Sequence, residues 1–172
     1  MQKLLGILLI LVSSTGLGMG QSLALSRRLK SLEALLRMTV LIKGEIRFAG
    51  VSLADAFEGA AARSPGACGE FLRSVSQQLK EKNGKKFASI FRECAMAHLD
   101  GLGLKKEEQR LLFSLGDHLG YLDLEMQMKQ LTIYEEEITR LMEELRREMP
   151  EKKKVYQSLG ILGGILLAIL VW

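Results

Sequence analysis

The chain has 172 residues and a formal net charge of +4, with 48% hydrophobic, 26% charged and 6% aromatic residues. Its mean hydropathy is positive, +0.12, although the charged fraction is ordinary, so the apolar residues must be concentrated somewhere. That pattern argues against a fully soluble enzyme, a disulfide-stapled secreted domain and a disordered tail. With only 2 Pro and many Leu, Glu, Lys, Arg and Met, the composition favours helix, because unbranched side chains lose little rotamer freedom there.

The first element is apolar. Leu4 to Ser26 holds 23 residues without a charge. As a helix it is roughly 34 Å long, enough to cross a hydrocarbon core of about 30 Å. Its strongest part, Leu4 to Val12, gives way to Ser13, Ser14 and Thr15 and then to Gly16, Gly18 and Gly20. A single Lys, an apolar run and small residues also describe a cleaved signal peptide. Ser22-Leu23-Ala24 is a loose cleavage site, however, and the stretch runs straight into a helical pattern near Leu25, so a retained anchor is expected.

From Leu25 the spacing of Leu29, Leu32, Leu36 and Val40 predicts one apolar stripe on a helix reaching about Phe48, with the option of continuity with the first span. Ser52, with Asp55 three residues on, starts a second helix in the manner of a capping box. Leu53, Ala56, Phe57 and Ala60 supply its inner face, and Ser64-Pro65-Gly66 ends it. A third helix, about residues 67–82, turns Phe71, Leu72, Val75 and Leu79 inward and stops at Asn83-Gly84. A fourth, about 86–99, uses Phe87, Ile90, Phe91 and Cys94. Asp100-Gly101-Leu102-Gly103 is a break.

The fifth helix, about 105–119, carries Glu107 and Glu108 near its N-terminal dipole. The last, about 122–149, places Leu124, Gln127, Leu131, Tyr134, Ile138, Leu141 and Leu145 at alternating spacings of three and four, a heptad seam. Glu136 with Arg140, and Glu143 with Arg147, are spaced for pairs on its outer face. Pro150 is expected to interrupt it before the basic triplet. Val155 to Trp172 then gives 18 uncharged residues, roughly 27 Å as a helix, near the lower limit for a span. Tyr156 and Trp172 sit at its ends, where amphipathic rings suit a membrane interface.

All 20 acidic residues and 23 of the 24 basic ones lie between the two apolar segments, which leaves +3 there. Arg27, Arg28 and Lys30 follow the first segment, and Lys152, Lys153 and Lys154 precede the second. Positive charge flanking membrane helices stays cytoplasmic. The expectation is therefore an all-α chain in three parts. Residues 1–26 and 155–172 are terminal transmembrane helices, and 27–154 is a cytoplasmic bundle of about six helices, with both termini on the other side. In a reducing compartment, and without a C-x-x-C spacing, Cys68 and Cys94 are buried free thiols by default.

Chemistry-bearing motifs are lacking. Gly84-Lys85-Lys86 has Leu79 where a phosphate-binding loop needs its first Gly, and neither a dinucleotide fingerprint nor H-E-x-x-H occurs. His98 and His118 stand 20 residues apart, and Asp117 and His118, adjacent on a helix, point in different directions. No catalytic residue, metal ligand, cofactor or small-molecule substrate is expected. Nucleic acid is not an expected partner either, because the basic isoelectric point of about 9.1 reflects the membrane flanks, which suit anionic lipid head groups. A pore is disfavoured because the spans lack a polar stripe to line it.

Two small-residue pairs, Gly16 with Gly20 and Gly160 with Gly164, allow close helix approach within a membrane, or simply reflect the frequency of Gly there. Gly116 and Gly120 are also four apart. A mid-helix Gly costs about 1 kcal/mol relative to Ala. Close packing within the bundle explains Gly116; Gly120 either packs likewise or ends its helix.

Leu115-Gly116-Asp117-His118-Leu119-Gly120-Tyr121-Leu122-Asp123, continuing to Gln127, resembles the signature of the stage III sporulation protein AB family. So do Glu45-Ile46-Arg47-Phe48-Ala49 leading into Ser52-Leu53-Ala54-Asp55-Ala56-Phe57, and the ending Tyr156-Gln157-Ser158-Leu159-Gly160-Ile161-Leu162-Gly163-Gly164. Val51 departs from the pattern, where Pro is expected ahead of the Ser-Leu start. The resemblance covers nearly the whole chain. It implies an endospore-forming bacterium and a non-enzymatic place in the channel-like assembly linking mother cell and forespore. It also implies a helical domain similar to the cytoplasmic domain of the platform proteins of type II secretion and type IV pilus machines. The implied partner is the ATPase stage III sporulation protein AA, the implied location the outer forespore membrane with the bundle in the mother-cell cytoplasm. Leu115, Gly116, Leu119, Gly120, Asp123 and Gln127 form the expected partner or packing element. The alternative is a small helical sensor or adaptor, extracytoplasmic if the first segment is cleaved, with no ATPase partner.

Overall fold

The computed structural model describes the backbone of every residue except Met1, Gly50, Lys82, Asn83, Tyr121, Leu122 and Trp172; side chains are described apart from these and residues 2–19, 48–49, 157, 160–161 and 164–171. Six α-helices follow in order: α1 (Gln2–Ala49), α2 (Leu53–Ala62), α3 (Gly66–Lys80), α4 (Phe87–Leu99), α5 (Lys106–Leu119) and α6 (Leu124–Val171). A 3-10 turn, Asp100–Leu102, joins α4 to α5, and no strand occurs among the described residues. The all-α reading holds. Two compact units result, one of Lys30–Met142 and one of Met1–Leu29 with Glu143–Trp172.

Among the described residues no helix is long and apolar enough to cross a membrane. The expected flanking transmembrane helices are thus without support there; most of both apolar segments lies outside the residues whose side chains are described. The same holds for Gly16, Gly160 and Gly164, while a Cβ at Gly20 would meet nothing within 4 Å. Arg27, Lys30 and Lys154 are exposed, and Arg28, Lys152 and Lys153 are half-buried.

In the Lys30–Met142 unit the core is built from Leu32, Leu35, Met38 and Ile42 of α1 and from Phe57, Phe71, Leu72, Phe91, Leu112 and Ile138. Each such side chain contributes about 1.5–3 kcal/mol on burial. The stripe on α1 is not the expected one, since Val40 is 52% exposed while Leu32, Leu35, Thr39, Ile42 and Ile46 are buried. The reason is rotational. Two successive steps of four residues turn the stripe by about 80° at 100° per residue, whereas steps of three and four alternate and hold one face inward. Thr39 satisfies its own helix, donating to Leu35 O at 2.9 Å.

Two further corrections concern α6. Its seam begins at half-buried Gln127 rather than Leu124, which is 57% exposed, and it passes through buried Leu131, Tyr134, Ile138, Met142 and Leu145. Pro150 lies inside the helix instead of ending it. A proline there removes one backbone donor, facing the Arg146 carbonyl. The Glu148–Lys152 ion pair spans the same turn and supports the helix across it. On the outer face Arg140 pairs with Glu137 at 2.8 Å, three residues back, rather than with Glu136.

The expected cap of α2 is present. The Ser52 hydroxyl accepts from Asp55 N at 3.3 Å and donates to Asp55 Oδ2 at 2.6 Å. That hydroxyl, and then Lys80, hold the Asp55 carboxyl below the usual range. The 3-10 turn is fastened to α1 by Ser31 Oγ, which donates to Leu102 O at 2.8 Å. Gly103 closes the turn at φ 65°, a left-handed conformation suited to Gly. Lys43 and Glu135, 2.6 Å apart, join α1 to α6.

Cys68 and Cys94 are buried free thiols. Burial pushes Cys68 up to about 11 and raises Cys94 as well.

Candidate functional site

The Leu115–Gln127 element begins on α5, and its setting is decided by α4. Phe87 and Phe91, four residues apart, share one face of α4 and build an aromatic cluster. Phe91 lies 5.0 Å from Phe71 and 6.4 Å from Phe57, both edge-on, and Phe87 lies 5.8 Å from Phe57. Edge-to-face pairs of this kind contribute about 0.5–1.5 kcal/mol beyond their burial. Gly116 and Gly120, also four apart, are set against these rings. A Cβ at Gly116 would collide with the Phe91 ring, and one at Gly120 would stand 2.5 Å from Phe87 Cβ. The two glycines are thus a packing device between α4 and α5. Gly120 also serves as the C-cap of α5.

The rest of the element is occupied within the fold. Leu115 and Leu119 are buried. Asp123 caps α6, its Oδ1 accepting from Met126 N at 2.9 Å. Gln127 Nε2 donates to Leu119 O at 3.0 Å and so satisfies a carbonyl at the end of α5. Of the two polar residues expected as partner contacts, Gln127 therefore ties α6 to the end of α5, and Asp123 caps its own helix. Tyr121 and Leu122 lie outside the described residues.

The histidines point to local structure. His118 Nδ1 donates to Ser114 O, one turn back on α5, at 2.6 Å. His98 Nδ1 on α4 faces Glu70 Oε2 of α3 at 3.9 Å. No group of three or more His, Cys, Asp or Glu converges to hold a metal ion among the described residues.

Two features become visible only in the fold. One is polar and buried: Glu108, 1% exposed, reaches back to accept from the N-cap amide, Lys105 N, at 2.7 Å. Tyr134 of α6 is buried with no hydrogen-bond partner for its hydroxyl among the described residues. Burial first, then the neighbouring Cys68 and Glu108, raise that phenol far above its ordinary range. The other is an open groove of about 180 Å³ between α4, the 3-10 turn and α5, with apolar walls from Ala95, Met96, Leu99, Leu104, Leu112 and Phe113. Arg92 stacks on the Phe113 ring at 5.1 Å and reaches Asp117 at 3.4 Å, which fixes one wall. Met96, 56% exposed, forms the lip. Its only sequence signal was an apolar residue on the polar side of α4.

No solved structure matches the chain. Stage III sporulation protein AB of Bacillus subtilis (strain 168) is 25% identical over 171 residues, covering 99% of each chain. The family model described as stage III sporulation protein AB matches residues 3–172, so the groove, the glycine pair and both apolar ends all fall within the match. The chain belongs to the stage III sporulation protein AB family.

Proposed function

We propose that the chain is a non-catalytic, membrane-anchored platform subunit of the mother cell–forespore channel complex. Its helical bundle, residues 27–154, docks the cytoplasmic ATPase stage III sporulation protein AA. The observation that carries this reading is the family match over residues 3–172, which takes in both apolar ends together with the bundle. The uncharged runs Leu4–Ser26 and Val155–Trp172 support anchoring at both ends, and Arg27, Arg28, Lys30 and Lys152–Lys154 support a cytoplasmic bundle. Each cation near an anionic lipid surface adds about 1 kcal/mol to that preference. In this reading the membrane is the outer forespore membrane, the bundle faces the mother-cell cytoplasm, and both termini lie on the other side. The domain then acts as the cytoplasmic domains of secretion and pilus platform proteins do, by relaying between an ATPase and the membrane apparatus.

Protease protection tests the topology. An epitope inserted at Asn83-Gly84 is expected to be cleaved in sealed inside-out vesicles without detergent. Protection that ends only when detergent is added would place the bundle outside, remove the ATPase-docking role and favour the anchored extracytoplasmic adaptor.

A further inference from the structure

We propose that the groove between α4 and α5 seats an amphipathic helix of the docked partner, which inserts one aliphatic or aromatic side chain and sets carboxylates against Lys106 and Arg110. The proposal rests on the docking role above and names the surface and the chemistry of what it receives.

Three observations converge. The groove's volume of about 180 Å³ suits one bulky apolar side chain, and its floor is the buried trio Leu99, Leu112 and Ala95. Its walls differ usefully. Phe113 is held by Arg92, which is itself held by Asp117, so that wall is set before a partner arrives. Met96 at the lip is flexible and polarizable, a side chain suited to closing over varied apolar anchors.

The charge around the groove is directional. Lys106 and Arg110 lie seven and three residues before Phe113, on the same stripe of α5, and both are exposed. Among the described residues neither forms an ion pair, in contrast to Lys43, Lys80, Lys85 and Arg92, each of which has a carboxylate partner. Asp100 lines the groove at the side of the 3-10 turn. Carboxylates of the occupant therefore belong on the α5 side, one turn from the anchor, and are repelled at the other end. Within the described residues of the Leu115–Gln127 element, Leu115 and Leu119 are buried, and Asp123 and Gln127 bond to backbone at helix ends.

The test titrates the full chain, reconstituted in lipid nanodiscs, with purified stage III sporulation protein AA from the same organism. Lys106→Glu with Arg110→Glu, and separately Met96→Asp, are each expected to raise Kd at least tenfold. Arg73→Glu, an exposed charge on α3, is expected to leave it within twofold. Circular dichroism melts identify any variant that fails to fold, and Met96→Ser then replaces Met96→Asp, with a threefold or greater loss expected. Binding by the wild type that both groove variants retain within twofold would overturn the groove while leaving ATPase docking intact. An equal loss with Arg73→Glu would overturn it too, since the attraction would then be diffuse. A wild type that does not bind at all would remove the docking role and the groove with it.

Discussion

The two ends of the α4–α5 contact are built on opposite rules. At one end, Gly116 and Gly120 remove every side-chain atom between α5 and the Phe91 and Phe87 rings, and the helices interlock. Because the later residue of α5 meets the earlier residue of α4 in both pairs, the helices run antiparallel. At the other end Met96 and Phe113 do not interdigitate, and a groove stays open. The lesson is that a protein interior tolerates no added atom where two helices touch, whereas the same pair about one turn away keeps surface free for other use.

The largest expected effect breaks the closed end. Phe91→Ala in the detergent-solubilised full chain should lower stability by about 4 kcal/mol in urea unfolding, the usual cost of emptying a Phe site. Gly116→Ala should cost about 2 kcal/mol by overpacking, even though Ala is the better helix former. With Phe91 already Ala, the same Gly116 change should be neutral or slightly stabilising. A double-mutant cycle showing additive losses would mean that the ring and the glycine are not coupled.

Next come the two polar residues at the start of α6. Asp123→Ala and Gln127→Ala should each lose about 1 kcal/mol, the first through its cap and the second through the Leu119 carbonyl. If stability is unchanged and partner binding falls instead, the element is a recognition surface.

Two buried polar side chains, Glu108 of α5 and Tyr134 of α6, come next, and Tyr134→Phe probes them. Removing a hydroxyl without a partner should stabilise by about 1 kcal/mol, a rise of roughly 2–4 °C in Tm for a chain of this size. A loss would reveal a partner for the hydroxyl. The smallest effect belongs to the groove itself. Met96→Ser should change stability by no more than about 0.5 kcal/mol, because more than half of that side chain already faces solvent. A loss above about 1 kcal/mol would show the lip to be part of the core.

Much of the fold was legible because its signals are local. Ser52 and Asp55 marked the start of α2, Ser64-Pro65-Gly66 its end, and Asp100–Gly103 the break before α5. Each depends on backbone hydrogen bonds and turn geometry within a few residues. The inner faces of α3 and α4 followed from spacing: Phe71, Leu72, Val75, Phe87, Ile90, Phe91 and Cys94 are buried as expected, while Leu79 is half-buried.

What sequence alone determined, then, is the all-α class, the helices of the middle and the family, since periodicity, caps and breakers act over one or two turns. Tertiary structure decided which side of α1 is buried, because Leu36 and Val40 satisfy an apolar stripe as well as Leu35 and Thr39 until a neighbouring helix chooses. It also turned Gln127 into a tie between α6 and the end of α5. The groove came from the same source. Met96 and Phe113 are 17 positions apart in sequence, and only the packing of α4 on α5 brings them to one opening. Local rules set where helices begin and end, while the partner across a contact sets what each side chain does.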